Sequence, residues 1–217
     1  MKEQSPNNEF EAPSRAATLD LVAHALCLNF TNTSSGRGTS MRREHLRQWE
    51  NLLDWAEHAG AIHPGQRPIF EASPLSATRD ALASALELRE ALYRLFRAII
   101  AGESPPAASI TIVNRILGEA MAAAEILPVD AGYRWDWREE DGRPMRLLWP
   151  VVRSAAELLT GPELARVKFC PGEGCGWLFL DTTRNGTRRW CEMDVCGSRA
   201  KMRRYHQRRR AAADNPF

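Results

Sequence analysis

The apolar positions of this chain recur mostly at helical spacing, in stretches separated by polar, glycine- or proline-bearing breaks. From Thr18 to Phe30, the residues Leu19, Val22, Ala23, Leu26 and Phe30 return at three- and four-residue steps, which predicts an amphipathic helix. The small, polar run TNTSSGRGTSM that follows reads as a loop. Arg43–Ala59 is helical again through Leu46, Trp49, Leu52, Leu53 and Ala56, with Gly60 placed to end it. After a proline-containing connection from His63 to Pro74, residues 77–101 carry the strongest stripe: Leu82, Ala85, Leu86, Leu92, Leu95, Phe96 and Ile99, stopped by Gly102. Beyond the breaker ESPP, residues 108–126 repeat the pattern with Ile112, Val113, Ile116, Leu117, Ala120 and Met121, and Pro128 halts it. Two long helices joined by a short loop predict a helical hairpin at the heart of the core.

The period then changes. Tyr133, Trp135 and Trp137 alternate with Arg134 and Asp136, which is the spacing of a strand. Glu139-Glu140-Asp141-Gly142 reads as a turn, and Pro144–Trp149 as the return strand of a β-hairpin. Pro150–Thr160 is helical once more, with proline in its first turn and Gly161 past its end. Leu164–Phe169 reads as a short strand leading into Cys170, and no internal repeat is visible. The expected fold is mainly α with a small β-hairpin: a helical N-terminal domain plus a C-terminal, treble-clef-like zinc finger with four cysteine ligands. The boundaries fall at 1–17 (a disordered lead-in), 18–163, 164–211 and a tail at 212–217.

Composition adds little to fold class but bounds the setting. With 217 residues, 44% hydrophobic and 26% charged, the chain has room for one sizeable domain and a small one. No apolar run approaches the roughly 18–20 residues of a membrane span. The polar N-terminus lacks the apolar region of a secretory signal. A cytoplasmic, bacterial-type reducing setting is expected, where paired cysteines point to metal or redox chemistry more than to disulfides. The net charge of +2 conceals an asymmetry: residues 166–217 hold 12 Lys+Arg against 5 Asp+Glu, a local +7 on a body of −5. A basic end on an acidic body suits a polyanionic partner.

Four of the five cysteines lie in that basic end as matched pairs, Cys170/Cys175 and Cys191/Cys196, each with four intervening residues and fifteen between the pairs. Thiolates at such spacing suit tetrahedral Zn²⁺, and four of them leave no open position, so the metal is structural. A four-cysteine iron site, two disulfides and free thiols are the competing readings. The glycines of Cys170-Pro-Gly-Glu-Gly-Cys175 permit a knuckle. Trp177–Thr183 reads as a strand, Asn185-Gly186 as a type I′ turn, and Thr187–Trp190 as the return strand delivering Cys191. So small a module draws its folding free energy from the metal, and Cys191→Ser is expected to unfold residues 170–210 while sparing the helical body. Cys27, inside an apolar helical pattern, reads as a core thiol.

From Ser198 a helix carries Arg199, Lys201, Arg203, Arg204, Arg208, Arg209 and Arg210 with no acidic residue among them. At about 100° per residue, Met202, Tyr205 and Arg209 share one stripe, expected to pack Met202 and Tyr205 on the hairpin. The arginines divide between two flanks. Arginine's planar fork suits phosphate oxygens and guanine edges, so nucleic acid is favoured over a merely solvated tail. The candidate nucleic-acid contacts are Arg188, Arg189, Arg199, Lys201, Arg203, Arg204, Arg208 and Arg210. Arg188, Arg189 and Arg199 also flank the sulfurs, where they could offset thiolate charge.

The run Phe179, Asp181, Arg188-Arg189-Trp190-Cys191, Met193 and Cys196-Gly197-Ser198-Arg199-Ala200-Lys201 resembles the CGNR zinc finger. Leu28-Asn29-Phe30-Thr31-Asn32-Thr33 resembles a Leu-x-Phe-x-Asn-Thr pattern near the start of ABATE, a helical domain of stress-induced transcription regulators that precedes this finger. The resemblance implies one Zn²⁺ per chain on Cys170, Cys175, Cys191 and Cys196 and a basic helix contacting DNA; for the body, which the resemblance leaves without a role, sensing of a small-molecule effector and formation of a homodimer are the two expectations. Ser198 stands where the family has Asn. Both are good helix caps, so a capping role survives the change, whereas a base-specific role does not obviously do so.

No catalytic residue is assigned. His24, His45, His58, His63 and His206 are scattered, and there is no HExxH, P-loop or GxGxxG. Asn29, Asn32 and Thr33, beside the SSGRG loop, are candidates for a small-molecule pocket, against a reading of capping and loop hydrogen bonds. The leading expectation is a DNA-binding transcriptional regulator that is not an enzyme. The alternatives are a zinc module docking on RNA or an acidic protein, and a small-molecule sensor or enzyme in the helical body.

Overall fold

A computed structural model describes residues 14–137 and 143–214. The first thirteen residues of the lead-in, the Glu139–Gly142 turn and the last three residues of the tail lie outside the described residues. A 3₁₀ turn, Ala16–Thr18, precedes α1 (Leu26–Thr31). A two-residue ladder follows, β1 (Ser34–Ser35) against β2 (Arg43–Glu44). Next come α2 (Trp49–His58), α3 (Arg67–Glu71), α4 (Leu75–Ala101) and α5 (Ala107–Ala122). An antiparallel hairpin of β3 (Ala124–Val129) and β4 (Gly132–Trp137) leads through a 3₁₀ stretch, Pro144–Leu148, into α6 (Trp149–Thr160). The chain ends with β5 (Val167–Phe169), β6 (Leu178–Leu180), a π-helical turn at Met193–Gly197 and α7 (Ser198–Asp214). The molecule is thus mainly helical with small antiparallel hairpins. No helix among the described residues is long and apolar enough to cross a membrane.

α4 is the spine, packing on α5, α1 and α2 and reaching β5 at the finger. It ends as expected at Gly102, whose φ of +71° is left-handed. The finger is not a separate appendage. Cys170, Leu178, Phe179 and Leu180 belong to the same buried cluster as Leu28, Phe30, Trp55 and Trp149 of the body.

Several elements depart from their expected bounds. The helix expected over 18–30 begins only at Leu26, because residues 19–25 run as a strap whose backbone is claimed by others. The Ala23 carbonyl accepts from Leu180 N–H, Ala23 N–H donates to Asn29 Oδ1, and His24 sits at φ +60°. The next helix starts at Trp49 rather than Arg43, since Arg43 and Glu44 pair with β1.

α5 stops at Ala122, and Ala124–Val129 becomes the partner of β4, with Ile126 opposite Trp135 and Pro128 opposite Tyr133. The return strand expected at Pro144–Trp149 is therefore a 3₁₀ lead into α6. In the finger, β6 pairs with β5 across the cysteine knuckle, not with 187–190, which forms no strand. Asn185 is not among the described residues with positive φ, which both central residues of a type I′ turn require. Gly186 instead closes an ordinary turn by donating to the Thr183 carbonyl.

Candidate metal centre and basic helix

Three short elements aim the four sulfurs at one point. Cys170 follows β5 and donates its N–H to the Trp177 carbonyl at 2.8 Å, closing the β5–β6 hairpin over the knuckle. Within the knuckle, Gly174 takes φ +67°, and Gly172 lies so close that a Cβ there would stand 3.0 Å from Cys196 Sγ. Cys191 enters from the loop after β6, and Cys196 sits in the π-turn that opens α7.

Each cysteine offers one sulfur, and all four lie within 4.8 Å of one another, with 3.5 Å from Cys175 to Cys191 and 3.7 Å from Cys191 to Cys196. A tetrahedron with metal–sulfur bonds of about 2.3 Å has sulfur–sulfur edges of about 3.8 Å, so the donor set fits a metal ion. The chemistry fits as well. The neighbouring thiols Cys175, Cys191 and Cys196 bond to Cys170 and hold its pKa down. Cys191 is pushed up by bonding to the other three and by burial. Four sulfurs this close ionise together only around a cation. This is the one metal-competent cluster among the described residues.

Cys27 lies apart from it, buried in the core, its thiol pushed up to about 12 by burial. The histidines form no cluster. His45 is buried, its pKa lowered to about 4 by burial, and His58 Nε2 bonds the Leu19 carbonyl at 2.8 Å.

The loop that delivers Cys191 is built around Asp181, which is fully buried. Its carboxylate accepts from Lys168 Nζ (2.6 Å), Thr183 N–H (2.9 Å), Thr183 Oγ1 (2.5 Å) and Arg188 N–H (2.9 Å). Burial raises the carboxyl pKa, but Lys168 and the three other donors outweigh it and hold it well below the usual range. Asp181 thus replaces the expected hairpin ladder as organiser. Neither it nor Lys168 is readable as such from the sequence, because no spacing rule pairs a strand lysine with a carboxylate thirteen residues on.

The candidate nucleic-acid residues separate into two groups. Arg188 is half-buried and turned inward: it donates to the carbonyls of Trp190, Val22 and Cys191, and its guanidinium lies 4.7 Å from the Phe179 ring. Arg203 pairs with Glu173 of the knuckle at 3.0 Å. Arg189, Arg199, Lys201, Arg204, Arg208 and Arg210 are exposed. Arg199 also lines a cleft of about 490 Å³ with Cys175, Cys191 and Cys196. Met202 and Tyr205 do not pack on the hairpin as expected; each is 53% exposed, and among the described side chains of α7 Ala200 is the buried one. The described contacts of the helix with the knuckle thus lie in its first two turns, at buried Ala200 and at the Arg203–Glu173 pair.

Asn29, Asn32 and Thr33 lie at the junction of body and finger, and each makes hydrogen bonds within the protein. Asn32 is buried and grips Leu178, Asn29 holds Ala23, and Thr33 Oγ1 donates to the Phe30 carbonyl while accepting from Arg89. The neighbouring glycine-serine loop is fastened too. Gly36 N–H donates to the Cys175 carbonyl, and Arg37 pairs with Glu90 of α4. Beside it, buried Arg89 makes a two-pronged pair with Glu44, 2.6 Å on each prong.

Two family models match the chain. ABATE, described as a putative stress-induced transcription regulator, matches residues 24–162, and the CGNR zinc finger matches residues 166–209. No curated protein matches the chain.

Proposed function

The chain belongs to the ABATE family and carries a CGNR zinc finger, and from that premise we propose that it is a zinc-stapled, DNA-binding regulator of transcription. Zn²⁺ on Cys170, Cys175, Cys191 and Cys196 is saturated by thiolates, so its part is to cross-link the knuckle, the Asp181 loop and the start of α7. Arg188 positions Cys191 through its carbonyl, and Arg203 fixes the azimuth of α7 through Glu173. Arg189, Arg199, Lys201, Arg204, Arg208 and Arg210 supply the cations that meet phosphate. The helical body is the sensing or oligomerisation domain, a place for a small-molecule effector or for a second copy of the chain.

The observation that carries this reading is α7: from Arg199 to Arg210 it holds seven Lys+Arg and no acidic residue, and of these seven all but half-buried Arg203 are exposed. Such a surface is costly to self-repulsion and suited to a polyanion that releases counterions. Competition of the zinc-loaded chain between labelled duplex DNA and single-stranded RNA of equal length tests it. Preference for the duplex supports the reading. Preference for the RNA moves the function to RNA binding.

A further inference from the structure

α7 presents to solvent the side that its pattern marks for packing. Ala200 is 7% exposed and Arg203 is tied to Glu173, so the body lies on their side of the helix. At about 100° per residue, Met202, Tyr205 and Arg209 fall on the opposite side, within about 60° of one another. Met202 and Tyr205 are the two large apolar side chains of the described part of the helix, and both stand open. They do not stand as isolated surface residues. Arg209 lies over the Tyr205 ring at 5.9 Å, and the His206 ring meets its edge at 5.7 Å. Lys201, Arg204 and Arg208 run along one flank of this stripe, and Arg199 and Arg210 along the other.

A second copy of the helix is a poor occupant for such a face, because pairing would bring two sets of seven cations together without a compensating acid. A duplex fits. Its major groove, about 12 Å wide, admits a helix of about 10–12 Å diameter. The phosphates of the two strands border that groove where the two flanks would lie. The centre of the helix face then meets base edges, and the apolar feature exposed there is the thymine C5-methyl.

We infer that Met202 and Tyr205 are the base-reading element of this protein, selecting thymine by apolar contact in the major groove while the flanking arginines hold phosphate. This rests on the DNA-binding reading above and assigns it a chemical specificity.

The test begins with the zinc-loaded full chain and the tightest duplex it selects from a random pool. That duplex is resynthesised with deoxyuridine for thymidine, which deletes only the methyl groups. Wild type is expected to lose about fivefold or more in affinity, the scale of one miscontacted base pair. The double variant Met202→Ala/Tyr205→Ala is expected to bind both duplexes equally, with unchanged zinc content. A selected site without thymine, equal wild-type binding of the two duplexes, or a double variant that keeps the full difference overturns the inference. A chain that selects no duplex at all overturns the DNA-binding reading beneath it.

Discussion

The carboxamide of Asn32 holds both peptide groups of Leu178. Its Nδ2 donates to the Leu178 carbonyl at 2.9 Å, and its Oδ1 accepts from the Leu178 N–H at 2.9 Å. One side chain at the end of α1 thus acts as a third strand beside β6, joining the helical body to the finger 146 residues away. Thr31 and Thr33 fold their hydroxyls back onto the carbonyls of Leu28 and Phe30, which keeps α1 tightly wound into Asn32. Asn32→Ala leaves a buried N–H and a buried carbonyl without partners. It is expected to cost about 3 kcal/mol, read as a lower urea midpoint with an unchanged slope.

Metal removal should reach beyond the finger. Phe179 and Leu178 are packed with Leu28 and Phe30 in one cluster, so loosening the four-cysteine knot exposes the face on which the body rests. A chelator, or Cys191→Ser, is expected to lower the unfolding temperature of the whole chain, because metal binding free energy is folding free energy here. The near-ultraviolet signal of buried Trp55 and Trp149 reports it. A body transition at the same temperature with and without metal would refute the shared core.

Asp181 should make part of the stability pH-dependent. Its folded pKa lies below the ordinary carboxyl value of about 3.9. Its contribution is therefore complete above that value and is lost as pH falls through it toward the folded pKa. Asp181→Asn removes the ionic partner of Lys168 and is expected to cost about 3 kcal/mol at neutral pH. The gap between wild type and variant in urea unfolding should narrow below about pH 4. A gap that is constant across this range would assign the role of Asp181 to hydrogen bonding alone.

The helices and the cysteine quartet were legible because each rests on a local rule. The α4 stripe and its Gly102 cap follow from periodicity and backbone freedom, and the paired cysteines from ligand spacing. What escaped depends on distant partners. Thr18–Ala25 carries a helical pattern, yet Leu180 and Arg188 take its carbonyls and hold it as a strap. Asn185-Gly186 is a hairpin dipeptide overruled by the Asp181 carboxylate, which binds the backbone on both sides of it. Met202 and Tyr205 looked like a packing stripe because periodicity shows that residues share a face but not which way the face points. The Glu173–Arg203 pair and buried Ala200 decide that direction.

The most direct test of the central claim is the affinity of the zinc-loaded chain for duplex DNA across a salt series, for wild type and Arg204→Ala. Binding should weaken steeply as salt rises, with a log–log slope of about −0.9 per phosphate contacted. Arg204→Ala should bind more weakly across sequences, with a slope shallower by about one unit. No duplex binding even at low salt, or binding whose salt slope is flat and indifferent to Arg204, would contradict a regulator that meets DNA through α7.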